Sequence, residues 1–426
     1  MITPIHSFLE NYAKSGIVRC HMPGGKGANN PFDITEINGA DNLFEAEGII
    51  LESEEIAASL FGAGDTLYSC GGSTLAIQGM LGALRQSTSK NTIIAGRYSH
   101  KSFISAAILL GFDIKWAYPA EYLSADINPE EIERLINEDT AAVFITAIDY
   151  YGGEADIKAI SEVCRKHDVP LLADNAHGAY KVFTGGNPME LGADMSAESA
   201  HKTLPALTGG AYLHIRDKGM RSAAKSAMAM FGSSSPSYVI MDSLDICNRY
   251  ISEHKDIALS LIHDIHVLKL WLSDIGYTLK ASDALRVTID AAKYGYTGVQ
   301  FAELLRKKGA ECEFSDDRYV VLLFSAGQSK TDFMRLYSIT RSIPKKEPIS
   351  VPPHIILHPK RARSPRKAFF SPFETIRTEN ALGRICHGIH TSCPPCVPIV
   401  MPGEKLDEGC IAELLRYGIE EIEVIK

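Results

Sequence analysis

The sequence predicts an α/β protein: a large domain with a mostly parallel sheet flanked by helices, then a smaller α+β domain. Two observations carry this. Between about Thr66 and Ile215 short apolar runs alternate with helical patterns, as βαβ units do. After Pro236 the alternation gives way to a long helical stretch and a second, smaller set of elements.

The runs Thr92–Ala95, Ala142–Ala147, Pro170–Ala173 and Gly210–Ile215 carry few charges, as strands buried on both faces do. Helices are expected between them at Thr74–Arg85, Lys101–Leu110, Pro129–Asn137 and Ile157–His167. Tyr238 to Leu272 contains no proline or glycine and reads as one long or gently broken helix. The smaller unit offers strand Arg286–Ile289, helix Thr297–Lys308, strand Tyr319–Phe324 and helix Thr331–Ser342. The stretch Lys345–Arg366, rich in Pro, Lys and Arg, reads as an exposed connection or a basic edge. The expected boundaries are an N-terminal arm over 1–50, a large domain over 51–255 and a small domain over 256–426, with a subdivision near 345–366.

Composition narrows the function classes. A hydrophobic fraction of 45% and a charged fraction of 22% describe a globular chain. A formal net charge of −9 argues against nucleic acid as a partner, because phosphate binding requires a basic face. No apolar run approaches the roughly 18–20 residues that span a bilayer, and Met1–Leu9 lacks signal-peptide character. The nine cysteines, an odd and scattered set, fit a reducing cytoplasm.

In parallel-sheet folds ligands bind beyond the carboxyl ends of the strands, and four segments place chemistry there. Cys70-Gly71-Gly72-Ser73-Thr74 opens a helix, where backbone N–H groups and hydroxyls cradle a phosphate. Taken singly, it is also an ordinary N-cap. Ser99-His100-Lys101-Ser102 supplies a histidine able to lie flat on an aromatic cofactor. Asp174-Asn175-Ala176-His177-Gly178 puts a carboxylate at the end of a strand, suited to a protonated ring nitrogen. A metal is not expected, since no His/Asp/Glu cluster has ligand spacing. Ser199-Ala200-His201-Lys202-Thr203 offers a lysine whose burial would make it a Schiff-base nucleophile. Together these point to pyridoxal 5′-phosphate.

The residues resemble the Orn/Lys/Arg decarboxylase family, pyridoxal-phosphate enzymes of fold type I, in its compact form without a receiver-like domain. The likeness runs from His21-Met22-Pro23-Gly24 through Asp33-Ile34-Thr35-Glu36, Asp41-Asn42-Leu43 and the four segments above. It continues through Ser234-Ser235-Pro236-Ser237-Tyr238 to Pro394-Pro395 and Met401-Pro402-Gly403-Glu404. The resemblance implies that Lys202 carries the cofactor and Asp174 pairs with its ring nitrogen. It implies that His100 and Ala176 pack the ring faces, with His177 beside them. Gly72, Ser73, Thr74, Ser199 and His201 would bind the phosphate, joined by Ser233 and Ser234 from a neighbouring subunit, so a homodimer is implied. The implied reaction is decarboxylation of lysine, arginine or ornithine, with Lys202 or His201 returning a proton to the carbon.

Two departures stand out. Gly25 occupies a position where the family has histidine. Near the C-terminus His387-Gly388 replaces an Ala-Glu pair, and Cys393-Pro394-Pro395-Cys396-Val397-Pro398 replaces Tyr-Pro-Pro-Gly-Ile-Pro. The Cys-x-x-Cys reads as a rigid turn, for zinc would want a second such pair. Two other readings remain. One is an aminotransferase or carbon–sulfur lyase, with Arg377 or Arg384 holding a carboxylate; the other is a cofactor-binding homologue without decarboxylase activity.

Overall fold

A computed structural model describes residues 1–22, 30–391 and 395–426. Gly25 and Cys393 lie outside the described residues, as do Pro23, Gly24 and Pro394. The chain divides into two compact units. The first comprises residues 1–89, 157–262 and 325–327; the second comprises 90–156, 263–324 and 328–426.

In the first unit four strands lie in the order Asp65–Ser69, Ala211–Ile215, Met195–Glu198, Leu171–Asp174. The last two are parallel. The first three pair antiparallel; between Glu198 and Ala211 the link holds only a four-residue helix, Ala200–Thr203, and no crossover helix. Every residue of these strands is buried. Their polar members are therefore paired: Thr66 with His214 across the sheet, and the Tyr68 hydroxyl with Ser53. The helix Gly72–Ser87 packs on Ala211–Ile215 and Met195–Glu198. The expected long helix breaks at His254 into Tyr238–Glu253 and Lys255–Asp274.

The motif Asp41-Asn42-Leu43 has a structural task. The Asp41 carboxylate accepts N–H bonds from Glu47, Gly48 and Ile50, capping the helix Ile49–Phe61. Burial opposes its charge, yet these backbone donors hold its pKa below the usual carboxylate value. The Tyr238 hydroxyl donates to the Asp41 carbonyl at 2.7 Å and locks the turn to the next helix.

The second unit contains three parallel strands, ordered Thr140–Thr146, Thr92–Gly96, Asp113–Ala117. An antiparallel sheet, Phe314–Ser315, Tyr319–Leu323, Arg286–Asp290, Leu279–Lys280, and a two-stranded pair, Phe373–Arg377 with Glu421–Ile425, complete it. The basic stretch 345–366 is docked rather than free. Arg366 donates to the carbonyls of Ile108 and Leu109, orphan acceptors at the end of the helix Lys101–Leu110, and Arg361 pairs with Asp113. Among the described residues no helix is long and apolar enough to cross a membrane.

Candidate active site

The first unit assembles three chemical groups at the ends of its strands. Where Met195–Glu198 stops, the chain turns through Ser199 into the short helix that carries Lys202. The Lys202 Nζ lies 3.0 Å from His177 Nε2. An ammonium has only hydrogens to give, so His177 accepts here on Nε2, which places its ring proton on Nδ1.

Asp174 ends the neighbouring strand Leu171–Asp174 and is 4% exposed. Its carboxylate accepts the Ala176 N–H at 3.1 Å. Burial raises its pKa, and the positive charge of Lys202 works in the opposite direction. The residues that follow form a tight turn. Asn175 N–H donates to the Ala197 carbonyl at 2.9 Å, and its side-chain amide donates to the buried Glu198 at 2.8 Å. Gly178 closes the turn; a Cβ there would fall 2.0 Å from Asn175 Oδ1. The motif thus fixes His177 through backbone and amide bonds. Asn175 and Glu198 were not among the residues singled out from sequence, and an acid inside a strand is the signal that could have found them.

The segment expected to cradle a phosphate is linked to this turn through two glycines. Gly72 N–H donates to the Gly209 carbonyl at 2.8 Å. The adjacent Gly210 carbonyl accepts from His201 twice, from Nδ1 at 3.0 Å and from the backbone N–H at 3.3 Å. Gly209 sits at φ +97, and a Cβ on it would meet the Cys70 carbonyl oxygen at 3.2 Å, so the position suits glycine alone. The helix Gly72–Ser87 starts with no side chain capping it, which leaves its N-terminal donors aimed at an anion. Ser73 is half-buried and Thr74 exposed. Burial lowers the pKa of His201, so its imidazole is neutral, with the proton on the Nδ1 that faces Gly210.

Ser199 tests whether a phosphate cofactor suits these residues. It is wholly buried, and its hydroxyl has no hydrogen-bond partner among the described residues. Such an orphan is costly unless a ligand satisfies it. An uncapped helix start, an orphaned hydroxyl, a buried carboxylate and an amine in one unit fit pyridoxal 5′-phosphate. Ser199→Ala should therefore leave the melting temperature of cofactor-free protein unchanged or raised. It should weaken cofactor binding by about tenfold, read by titration.

The remaining candidates lie elsewhere. His100 belongs to the second unit and caps the helix Lys101–Leu110. Its Nδ1 accepts from the Ser102 N–H at 3.2 Å and the Ser102 hydroxyl at 2.8 Å, which leaves the ring proton on Nε2. Ala176 is buried beside Asp174. Ser233 and Ser234 are exposed between the helices Arg221–Phe231 and Tyr238–Glu253.

The altered C-terminal segment packs within the second unit against the start of His100's helix. Lys101 N–H donates to the Cys396 carbonyl at 3.0 Å, and Arg97 donates to the Ile399 carbonyl at 3.1 Å. Cys396 adopts φ +56 where the family pattern carries glycine. His387 stacks on Phe373, and its Nδ1 lies 3.2 Å from Glu423. A Cβ on Gly388 would fall 2.5 Å from Glu423 Oε2: a carboxylate from the last strand fills the space where the acid is missing. Arg384, considered as a carboxylate holder, is engaged by Glu374 at 2.6 Å and the Ile425 carbonyl at 2.8 Å. Among the described residues no group of three or more His, Cys, Asp or Glu is arranged to hold a metal.

Known proteins give a consistent picture. The family profile described as Orn/Lys/Arg decarboxylase, major domain, matches residues 30–273. An arginine decarboxylase of Halalkalibacterium halodurans is 30% identical over 96% of this chain and 92% of its own length. An arginine decarboxylase of Bacillus subtilis is 28% identical over 97% and 93%. Among solved structures, the Francisella novicida lysine decarboxylase LdcF superposes with a TM-score of 0.81 at 16% identity, covering 100% of this chain and 81% of that one. Lysine decarboxylase A from Pseudomonas aeruginosa gives 0.82 at 16% identity, over 100% and 80%. At that identity the superpositions establish the fold, and it is the α/β arrangement expected from the sequence.

Proposed function

Since the chain belongs to the Orn/Lys/Arg decarboxylase family, we propose that it removes the α-carboxylate of a basic amino acid, lysine, arginine or ornithine, as CO2, using pyridoxal 5′-phosphate held at Lys202. The observation that carries this is the grouping of Lys202, His177, Asp174 and the orphaned Ser199 hydroxyl in one unit. When bound, pyridoxal 5′-phosphate supplies an electron sink for the pair released as the carbon–carboxylate bond breaks.

The protein's own groups do the rest. Ionised Asp174 holds a proton on the ring nitrogen, an arrangement that its burial makes strong. Ser73, Thr74 and Ser199, with the backbone N–H groups of Ser73 and Thr74 at the helix start, would hold the phosphate. The neutral His201 imidazole, turned by Gly210, lines the same turn. Ala176, buried beside Asp174, would pack against the ring. For His100, stacking on the other face rests on the family motif. Ser233 and Ser234, exposed on the single chain, would reach the phosphate of a neighbouring subunit in a homodimer. The engagement of Arg384 by Glu374 and the Ile425 carbonyl counts against one of the two arginines that an aminotransferase could use.

The test is a panel of amino acids offered to cofactor-loaded protein, scored by CO2 and by the amine formed. Stoichiometric CO2 and diamine or agmatine from one basic amino acid is expected. A keto acid product, or loaded protein that turns over none of the panel, would overturn the proposal.

A further inference from the structure

Lys202 cannot bond to a carbonyl carbon as an ammonium; it must first lose a proton. We infer that His177 is the acceptor of that proton, making it the acid–base partner of Lys202. This assignment rests on the cofactor role proposed above for Lys202.

Geometry carries the argument. His177 Nε2 stands 3.0 Å from Lys202 Nζ and presents its lone pair to it. His177 is 5% exposed, so water is a poor competitor for the proton. Its backbone is held by the turn that ends at Gly178, braced by Asn175 on Glu198. His201, one residue from Lys202, is turned by its Nδ1–H bond to the Gly210 carbonyl, whereas it is His177 that meets Lys202 Nζ at hydrogen-bond distance. The proton balance is complete. One proton passes from the Nζ ammonium to His177 Nε2. The Nζ lone pair then bonds to the cofactor's aldehyde carbon, and the two remaining Nζ protons leave with the aldehyde oxygen as water. When a substrate amine displaces Lys202, His177 gives its proton back to Nζ.

Cofactor uptake by full-length, cofactor-free protein is followed as visible absorbance over a range of pH. In the wild type, uptake should remain fast at neutral pH. His177→Gln keeps a hydrogen-bond acceptor but cannot take a proton; uptake should be about 100-fold slower at neutral pH and recover at alkaline pH, where solvent deprotonates the lysine. Added imidazole should speed uptake by His177→Ala. An unchanged pH profile, or slowing by the same factor at every pH, would overturn the role of His177, the latter by showing that the residue only supports the fold. Lys202→Ala serves as the separate control. If it still acquires the same absorbance, the cofactor assignment itself fails. If it does not, and His177→Gln behaves as wild type, only the His177 assignment falls.

Discussion

Lys202→Ala is expected to abolish covalent retention of pyridoxal 5′-phosphate and to lower decarboxylation by about four orders of magnitude or more. A buried lysine of this unit is already engaged. Lys225, a buried lysine of the same unit, is bound to Glu54 at 2.6 Å and to the Leu43 carbonyl. The variant should fold, because Lys202 is only half-buried and lies in a four-residue helix rather than in a packed strand. The measurement is the visible spectrum after dialysis, together with CO2 release. A dialysed variant that keeps the wild-type spectrum would remove Lys202 from the mechanism.

Asp174→Asn should separate activity from stability. The amide can still accept the Ala176 N–H but cannot hold a positive ring nitrogen, so kcat is expected to fall by about a thousandfold. Stability should move the other way. Burial raises the Asp174 pKa, so between the unfolded and folded values the folded protein holds a proton that the unfolded chain has lost. Unfolding free energy therefore falls as pH rises through that window, and levels off above it. The asparagine lacks this loss. Cofactor-free Asp174→Asn should melt higher than wild type at neutral pH, with the gap closing in acid below the ordinary carboxylate range. A lower melting temperature at neutral pH would show that the ionised carboxylate stabilises the fold.

Legibility in the sequence followed the physics of each element. Lys101–Leu110 was placed at both ends because His100 and Gly111 punctuate a strongly apolar run. The strands Asp65–Ser69 and Met195–Glu198 escaped because they bury acids and hydroxyls, and apolar runs reveal only strands without such groups. Phe373–Arg377 escaped for the opposite reason: it is largely exposed and carries charges. At the site, Lys202 and Asp174 were legible from spacing and neighbours. The partner of Lys202 was not, because it depends on which of two histidines the fold turns toward the amine. His177 and His201 are equivalent as letters; the Gly210 carbonyl draws one imidazole to itself, and the Gly178 turn delivers the other to Lys202.

The paired glycines at 209 and 210 bind two functions to one piece of backbone. Gly209 holds the start of the helix Gly72–Ser87, and Gly210 holds His201, one residue from the lysine. On the proposed cofactor role, a shift of that helix to adjust the hold on a phosphate would also move the neighbourhood of the amine. Variation in cofactor affinity should therefore come from side chains such as Ser199 and Thr74, while this stretch of main chain resists change.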